Sequence, residues 1–248
     1  MAELDRQMLC DFVNTEIVKF HQARLASLAK MKLDAVLRKK NPYLFKAKNI
    51  GLASDLVAAL MNAFLSSSEE EMFGSFLEEL AIFVSEKADS GRKSTATGLD
   101  LEFDRDSTRF LVAIKSGTNW GNSSQYARLE ENFKKAVQVQ RQSHRIAHVQ
   151  PVLGMCYGKS PAFIDTGTYW KMSGQRFWHF LSNDQDLFID IIEPIGYEAK
   201  RHNDDFEESR AAIQNRLTSE FLSQFCNEDF SIDWPKLVRF NSGNMQGT

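Results

Sequence analysis

The sequence predicts a mixed α/β fold, with helices flanking a mixed central sheet and helical additions at both ends. Three observations support this prediction. Apolar residues follow a helical spacing through the first third of the chain, two short apolar runs at 99–103 and 109–115 have the period of strands, and a third apolar run occupies 146–158. The resulting order of helices, hairpin, helix, strand and helices favours the α/β class.

The first third is predicted to be helical. Residues 3–31 place apolar side chains at helical intervals, and Pro42 interrupts the pattern because it disfavours a helical conformation in the residue before it. Residues 52–65 predict a second helix. Ser66–Ser68 are candidate caps for a third, with Glu69–Glu71 in its first turn, where the helix dipole favours acids.

The middle of the chain is predicted to hold a hairpin. The runs "LDLEF" and "RFLVAIK" are joined by "DRDST", so a hairpin is the simplest connection. Ser123 is a candidate cap for a helix through about Arg141, and the run at 146–158 predicts a buried strand. We expect one domain over 1–248, with a helical part (1–66), a catalytic core (67–158) and a mostly helical part (159–248).

The amino-acid composition indicates a globular protein. The chain has 248 residues, a formal net charge of −3, 43% hydrophobic and 25% charged residues, which is ordinary for a globular protein. No apolar run approaches the ~20 residues that span a bilayer, so no membrane association is expected. The three cysteines are odd in number and widely spaced, which favours a reducing cytoplasm.

An acidic strand and a strand-end lysine form the candidate site. Alternation places Asp100, Glu102 and Asp104 on one face, and hairpin closure would bring Asp100 close to Lys115. Carboxylate oxygens suit Mg²⁺, which would neutralise charge on a phosphate and lower the pKa of an attacking water; Lys115 would position that water or stabilise the same charge. On spacing alone, the pattern favours a solvated acidic face and a surface lysine over a metal site.

The residues around this pattern carry a resemblance. "GLDLEF" followed by a strand ending in "AIKSG" resembles the core of PD-(D/E)xK nucleases. The longer "FLVAIKSGTNWGNSSQ", with "KKNPYLFKAKNI" and "FLEELAIFV" before it and "GQRFWHFLS" and "IIEPIGYEAK" after it, is similar to PmeII-like Type II restriction endonucleases over roughly residues 10–243. The resemblance implies a restriction-endonuclease-like fold.

Catalytic roles follow from that resemblance. It implies that Asp100 is the first metal-binding acid and Lys115 the motif lysine. Ala113 stands where the superfamily has an acid, but PmeII-like sequences tolerate a small residue there, which favours a displaced acid over a lost one. The candidates for that acid, with Glu78 and Glu102 preferred, are Glu78, Glu79, Glu102, Glu130 and Glu131.

Further residues are candidates for contacting DNA. Gln125 opens the helix after the lysine, where the superfamily often has a glutamine that contacts the scissile phosphate or a metal-bound water. The loop before that helix could hold a phosphate at the helix N-terminus, and basic residues mixed with aromatics could contact the backbone or base edges. The predicted DNA-binding residues are Lys46, Lys48, Asn49, Asn119, Trp120, Asn122, Ser123 and Arg176.

The resemblance implies a Mg²⁺-dependent Type II restriction endonuclease that cuts double-stranded DNA at a short site. Cutting both strands of a palindrome matches a two-fold symmetric homodimer, and a partner methyltransferase is expected to protect host DNA. Two alternatives remain open at this point: a PD-(D/E)xK repair nuclease without sequence choice, and a DNA-binding protein that kept the fold but lost catalysis.

Overall fold

The computed structural model describes residues 4–142, 148–159 and 164–244. The chain divides into two compact units. The first comprises Met1–Val18 and Phe73–Tyr197, and the second comprises Lys19–Met72 and Glu198–Thr248. The single domain expected from the sequence stays a prediction.

A mixed sheet forms the centre of the first unit. Within the described residues it has six strands in the order β1-β2-β3-β4-β6-β5. The strands are β1 (Arg92–Lys93), β2 (Leu101–Arg105), β3 (Thr108–Lys115), β4 (His148–Met155), β5 (Ile164–Asp165) and β6 (Trp170–Ser173). The pairs β3–β4 and β4–β6 are parallel, and the other three pairs are antiparallel. The predicted mixed α/β class is confirmed.

The predicted hairpin is formed by β2 and β3. Arg105 pairs with Thr108 across a two-residue turn, in which Asp106 and Ser107 have φ values of 49° and 61°. Positive φ at both positions is the geometry of a type I′ turn, whose twist matches that of the flanking strands. The turn fixes the register, and the register fixes which side chains of the two strands share a face.

Strand β3 lies between β2 and β4 in the sheet, and side chains on both of its faces are buried. Leu111, Val112 and Ala113 are fully buried. On one face, Leu111 and Ala113 join an apolar cluster with Phe133 of helix α5 (Ser123–Gln142). This helix belongs to the connection between the parallel strands β3 and β4, which cannot be joined by a tight turn.

The remaining helices of the first unit include α6 (Gln175–Ser182), α7 (Leu187–Asp190) and α8 (Ile192–Ile195). Phe177 of α6 lies against Gly154 of β4 so closely that an added Cβ at Gly154 would be 2.0 Å from the ring. The glycine is therefore needed for close packing of helix on strand. The unit also includes the start of α1 (Arg6–Ala29) and the end of α4 (Ala53–Asp89), where Phe12 and Phe83 stack with ring centroids 4.1 Å apart.

The second unit is helical. It contains the rest of α1 and α4, together with α2 (Leu33–Lys39), α3 (Pro42–Ala47), α9 (Ala199–Phe225) and α10 (Trp234–Ser242). Its apolar core draws on all six helices and includes Leu28, Val36, Phe45, Met61, Phe221 and Leu237. The predicted helical additions are confirmed. Among the described residues, no helix is both long and apolar enough to cross a membrane.

The predicted helix start at Ser66–Ser68 is wrong, because α4 runs unbroken through these serines. Ser67 donates its hydroxyl to the carbonyl of Ala63, one turn back, at 3.1 Å. The hydroxyls of Ser68 and Ser27 are 3.1 Å apart. Since a backbone carbonyl and the hydroxyl of Ser27 give these two serines hydrogen-bond partners inside the helix, serine does not end the helix here.

Pro42 follows the end of α2, as the sequence predicted. It also begins a further helix, α3, which was not predicted. Its fixed φ suits the first position of α3, where no intrahelical N–H bond is lost. The Asn41 side chain caps this helix by accepting from the N–H groups of Tyr43 and Leu44 at 3.0 and 3.4 Å.

Three strands, β1, β5 and β6, were not predicted. Two of them have two residues each, which is too short to show any alternation. The part predicted to be mostly helical, 159–248, contains α6–α10 and also the last two strands of the sheet, β5 and β6.

Candidate active site

Asp100 and Lys115 lie together at one end of the β2–β3 hairpin. The Asp100 N–H donates to the Val112 carbonyl at 2.9 Å, so Asp100 is held against β3 just beyond the last register pair of the hairpin, Leu101 with Val112. The Asp100 Oδ2 accepts from the Ile114 N–H at 2.6 Å and lies 3.7 Å from Lys115 Nζ. A backbone donor and an ammonium group therefore hold this carboxylate in place, as hairpin closure predicted.

Glu78 of α4 adds a second carboxylate to this region. Burial raises the pKa of Glu78, the negative charge of Asp100 raises it further, and Lys93 and Lys115 oppose the shift. Two carboxylates far apart in sequence thus repel each other beside one lysine. A bound cation would relieve that repulsion.

Lys93 of β1 also borders this pair, which the sequence analysis missed. Its Nζ lies 3.2 Å from Glu79 Oε1 and 3.8 Å from Glu78 Oε1. The hydrogen bond from Lys93 to Glu79, followed by the charges of Glu79 and Glu78, raises the pKa of Lys93. No sequence signal marks Lys93, because its role depends on the packing of α4 beside a two-residue strand.

Glu102 and Asp104, which were predicted to share a face with Asp100, have other partners. Glu102 is buried, and its Oε1 accepts from Nε and Nη2 of Arg92 at 2.8 and 2.6 Å. Asp104 accepts two hydrogen bonds from Arg109 at 2.8 and 2.7 Å, and these lower its pKa. The three acids of the strand therefore do not form one cluster, because cross-strand arginines engage two of them.

Ala113 occupies the position where the superfamily has an acid. Its methyl group lies in an apolar environment. Its side chain is fully buried with Leu111, Phe133 and Leu153. A second acid near Asp100 must therefore come from another element. Glu78 is such an acid, whereas Glu130 acts electrostatically on Tyr169, and Glu131 is exposed and paired with Lys135.

The loop after Lys115 leads into a capped helix. Asn122, rather than the predicted Ser123, caps α5: its Oδ1 accepts from the Gln125 N–H at 3.1 Å, and Gln125 Oε1 accepts from the Asn122 N–H at 2.9 Å. This reciprocal pair is a capping box, so the Gln125 side-chain oxygen serves the helix end. Asn119 is exposed, and the Trp120 ring lies 5.6 Å from Lys115 Nζ.

The other predicted DNA contacts lie elsewhere in the chain. Lys46, Lys48 and Asn49 are exposed residues of the second unit, at the end of α3, and Asn49 has a φ of 56°. Arg176 of the first unit is exposed on α6 and lines a cavity of about 270 Å³ with Arg105. The structure does not bring Arg176 into contact with Asp100 or Lys115 among the contacts of the described residues.

The acids present fit one kind of metal. In the part of the chain that the structure describes, no group of three or more His, Cys, Asp or Glu side chains is arranged to hold an ion. Mg²⁺ commonly binds through one or two carboxylates and completes its shell with water and substrate phosphate. Glu78 and Asp100 supply two such carboxylates, and the negative charge of Asp100 adds to the effect of burial in raising the pKa of Glu78.

Comparison with known proteins identifies the family. A sequence model of the family described as Type II restriction endonuclease EcoO109I matches residues 7–203, a range that contains Glu78, Asp100 and Lys115. No curated protein sequence matches the chain. The narrower resemblance to PmeII-like enzymes stays a prediction. Because the match covers most of the chain, the protein belongs to the Type II restriction endonuclease EcoO109I family.

Proposed function

We propose that this protein is a Mg²⁺-dependent Type II restriction endonuclease with a PD-(D/E)xK core, which hydrolyses double-stranded DNA at a specific short site. One observation carries the proposal: in a chain of this family, Asp100 lies 3.7 Å from Lys115, and the charges of both residues act on the pKa of Glu78. The PmeII-like character inferred from the sequence motifs is part of the same proposal.

Asp100 and Glu78 would hold the metal. Asp100 is held in place by the Ile114 N–H, and Glu78 projects from a long helix, so both carboxylates sit on regular elements. When bound, Mg²⁺ would supply positive charge to the phosphate and lower the pKa of nearby water. The second acid that binds the metal is Glu78 rather than Glu102, because Glu102 is buried against Arg92.

Lys115 would act directly on the reacting phosphate. Its side chain is 31% exposed, so the ammonium group is reachable by substrate, and Asp100 orients it from 3.7 Å away. An ammonium fixed before substrate arrives can stabilise negative charge that develops on the phosphate, or orient the attacking water, without reorganisation. Lys93 would leave Glu78 as the metal binds, since both cations compete for the same carboxylate.

The remaining parts of the proposal follow from cutting both strands of DNA. A homodimer would present one site to each strand, and a methyltransferase of the same specificity would protect host DNA in the cytoplasm. Exposed Lys46, Lys48, Asn49 and Arg176 would contact DNA outside the catalytic centre. Gln125, Asn122 and Ser123 would approach the phosphate through the first turn of α5.

Cleavage of a plasmid by purified protein tests the proposal. With Mg²⁺ we expect discrete fragments, and with a chelator in place of the metal we expect intact plasmid. A smear or nicking would instead indicate a repair nuclease that does not select a sequence. Plasmid that stays intact at every Mg²⁺ concentration, although the protein binds it, would contradict the proposed activity.

A further inference from the structure

A row of alternating lysine and aromatic side chains extends from the candidate active site. Lys115 Nζ lies 5.6 Å from the centre of the Trp120 ring, and the Trp120 and Tyr126 rings have centroids 4.7 Å apart. Lys171 Nζ lies 5.2 Å from the Tyr126 ring and 3.4 Å from the Tyr126 hydroxyl. We name these four residues the lysine–aromatic row.

Three separate elements build the row. Lys115 ends β3, Trp120 and Tyr126 lie in the following loop and in the first turns of α5, and Lys171 belongs to β6. Ala113 pairs with Leu153, and Leu153 pairs with Lys171. Residues paired in register point to the same side of a sheet, so Lys171 projects from the face that carries Ala113 and Lys115.

The two ammonium groups of the row have different partners. Lys115 is 3.7 Å from the carboxylate of Asp100. Among the described residues, Lys171 forms no ion pair, and its hydrogen-bond partner is the neutral hydroxyl of Tyr126. A cation held on an aromatic ring without a counter-charge keeps its attraction for an anion.

The Trp120 indole connects the row to the protein interior. Its Nε1 donor is buried, and the ring packs against the apolar cluster that includes Phe133 and Tyr169. The donor belongs to the ring that separates Lys115 from Tyr126, at the centre of the row.

We propose that the lysine–aromatic row is a binding site for the DNA strand that is cut, in which Lys171 contacts a backbone phosphate near the scissile one. This inference rests on the proposed function and extends it to a residue outside the catalytic centre. Trp120 and Tyr126 hold both ammonium groups on one surface, so the strand that reaches Lys115 also passes Lys171. A single lysine–phosphate contact contributes about 0.9 to the slope of log affinity against log salt on duplex DNA.

The test measures how salt affects the affinity of the full-length protein for a duplex that contains its cleavage site, without divalent metal so that no cutting occurs. For Lys171→Ala we expect the salt slope to fall by ~0.9 and the affinity at low salt to fall about tenfold. In cleavage assays KM should rise more than kcat falls. Tyr126→Phe, which keeps the ring, should weaken binding less than Tyr126→Ala.

Lys135→Ala is the matched control, because it removes the same charge from an exposed lysine of α5 that is paired with Glu131. It should leave the salt slope at the wild-type value. A Lys171→Ala protein with a wild-type slope and unchanged affinity would overturn the inference while leaving the proposed function intact. Failure of the wild-type protein to bind or cut DNA would instead overturn the proposed function.

Discussion

Replacing Lys115 with alanine is expected to lower the rate of DNA cleavage by about 10²–10³-fold, the range found when one preorganised group that stabilises the transition state is removed. Its ammonium is 3.7 Å from Asp100 Oδ2 and 31% of the side chain is exposed, so it can reach a phosphate held by the acids. The measurement is single-turnover cleavage of a plasmid at saturating protein and Mg²⁺, together with DNA affinity without metal. Affinity should change far less than the cleavage rate, because binding draws on many other contacts.

Lys135→Ala serves as the control for this experiment as well, and its cleavage rate should match the wild-type rate. A Lys115→Ala protein that folds normally and cuts at a rate near the wild-type rate would remove Lys115 from the mechanism. Equal losses in affinity and in cleavage rate would show that Lys115 acts in ground-state binding alone.

Glu78→Gln is expected to impair Mg²⁺-dependent cleavage strongly, because it removes a charge from the proposed metal site with little change in shape. We expect the Mg²⁺ concentration for half-maximal cleavage to rise about tenfold or more, as when a charged hydrogen-bonding group worth ~1.5–3 kcal/mol is lost. The maximal rate should also fall. The measurement is the initial cleavage rate as a function of Mg²⁺ concentration.

Glu102→Gln is the matched comparison, since it makes the same chemical change on the neighbouring acid of the strand. Glu102 is buried against Arg92, so we expect the free energy of unfolding to fall by about 1–2 kcal/mol. The Mg²⁺ requirement should stay near the wild-type value. If Glu102→Gln raises that requirement and Glu78→Gln does not, the assignment of the second acid is reversed.

The hairpin and its acid–lysine pair could be predicted from the sequence because they depend on local signals. Strand alternation fixes the faces, and the short polar segment "DRDST" between the apolar runs marks a hairpin connection. Together they determine that Asp100 approaches Lys115. The segment from Asp100 to Lys115 is sufficient to predict this approach, and no contact with a distant part of the chain is needed.

The choice between Glu78 and Glu102 could not be derived in this way. Glu102 lies on the expected face, but Arg92 engages it from a two-residue strand that has no detectable period. Glu78 comes within electrostatic range of Asp100 on a different element, α4, where Lys93 of β1 contacts both Glu78 and Glu79. Periodicity reports which face a residue occupies, whereas the partner of a buried charge depends on tertiary packing.

Ala113 is a second position at which the sequence alone does not identify the second acid. The sequence shows that an acid is absent, and the structure shows the space filled by an apolar cluster with Phe133 and Leu153. Around Ala113, β3 pairs in register with β2, and Asp100 accepts a hydrogen bond from the Ile114 N–H. The arrangement therefore fits displacement of the second carboxylate to the helix, which is the hypothesis that the variants of Glu78 and Glu102 distinguish.

The central claim is that Glu78 and Asp100 bind one divalent cation together. Anomalous diffraction from crystals of the protein soaked in Mn²⁺, a substitute for Mg²⁺ that can be located directly, tests it. The account predicts a peak within coordination distance of both carboxylates and close to Lys115, and loss of that peak in Glu78→Gln crystals. A peak bound by other residues, or an active protein whose crystals show no ion between these two carboxylates, would contradict it.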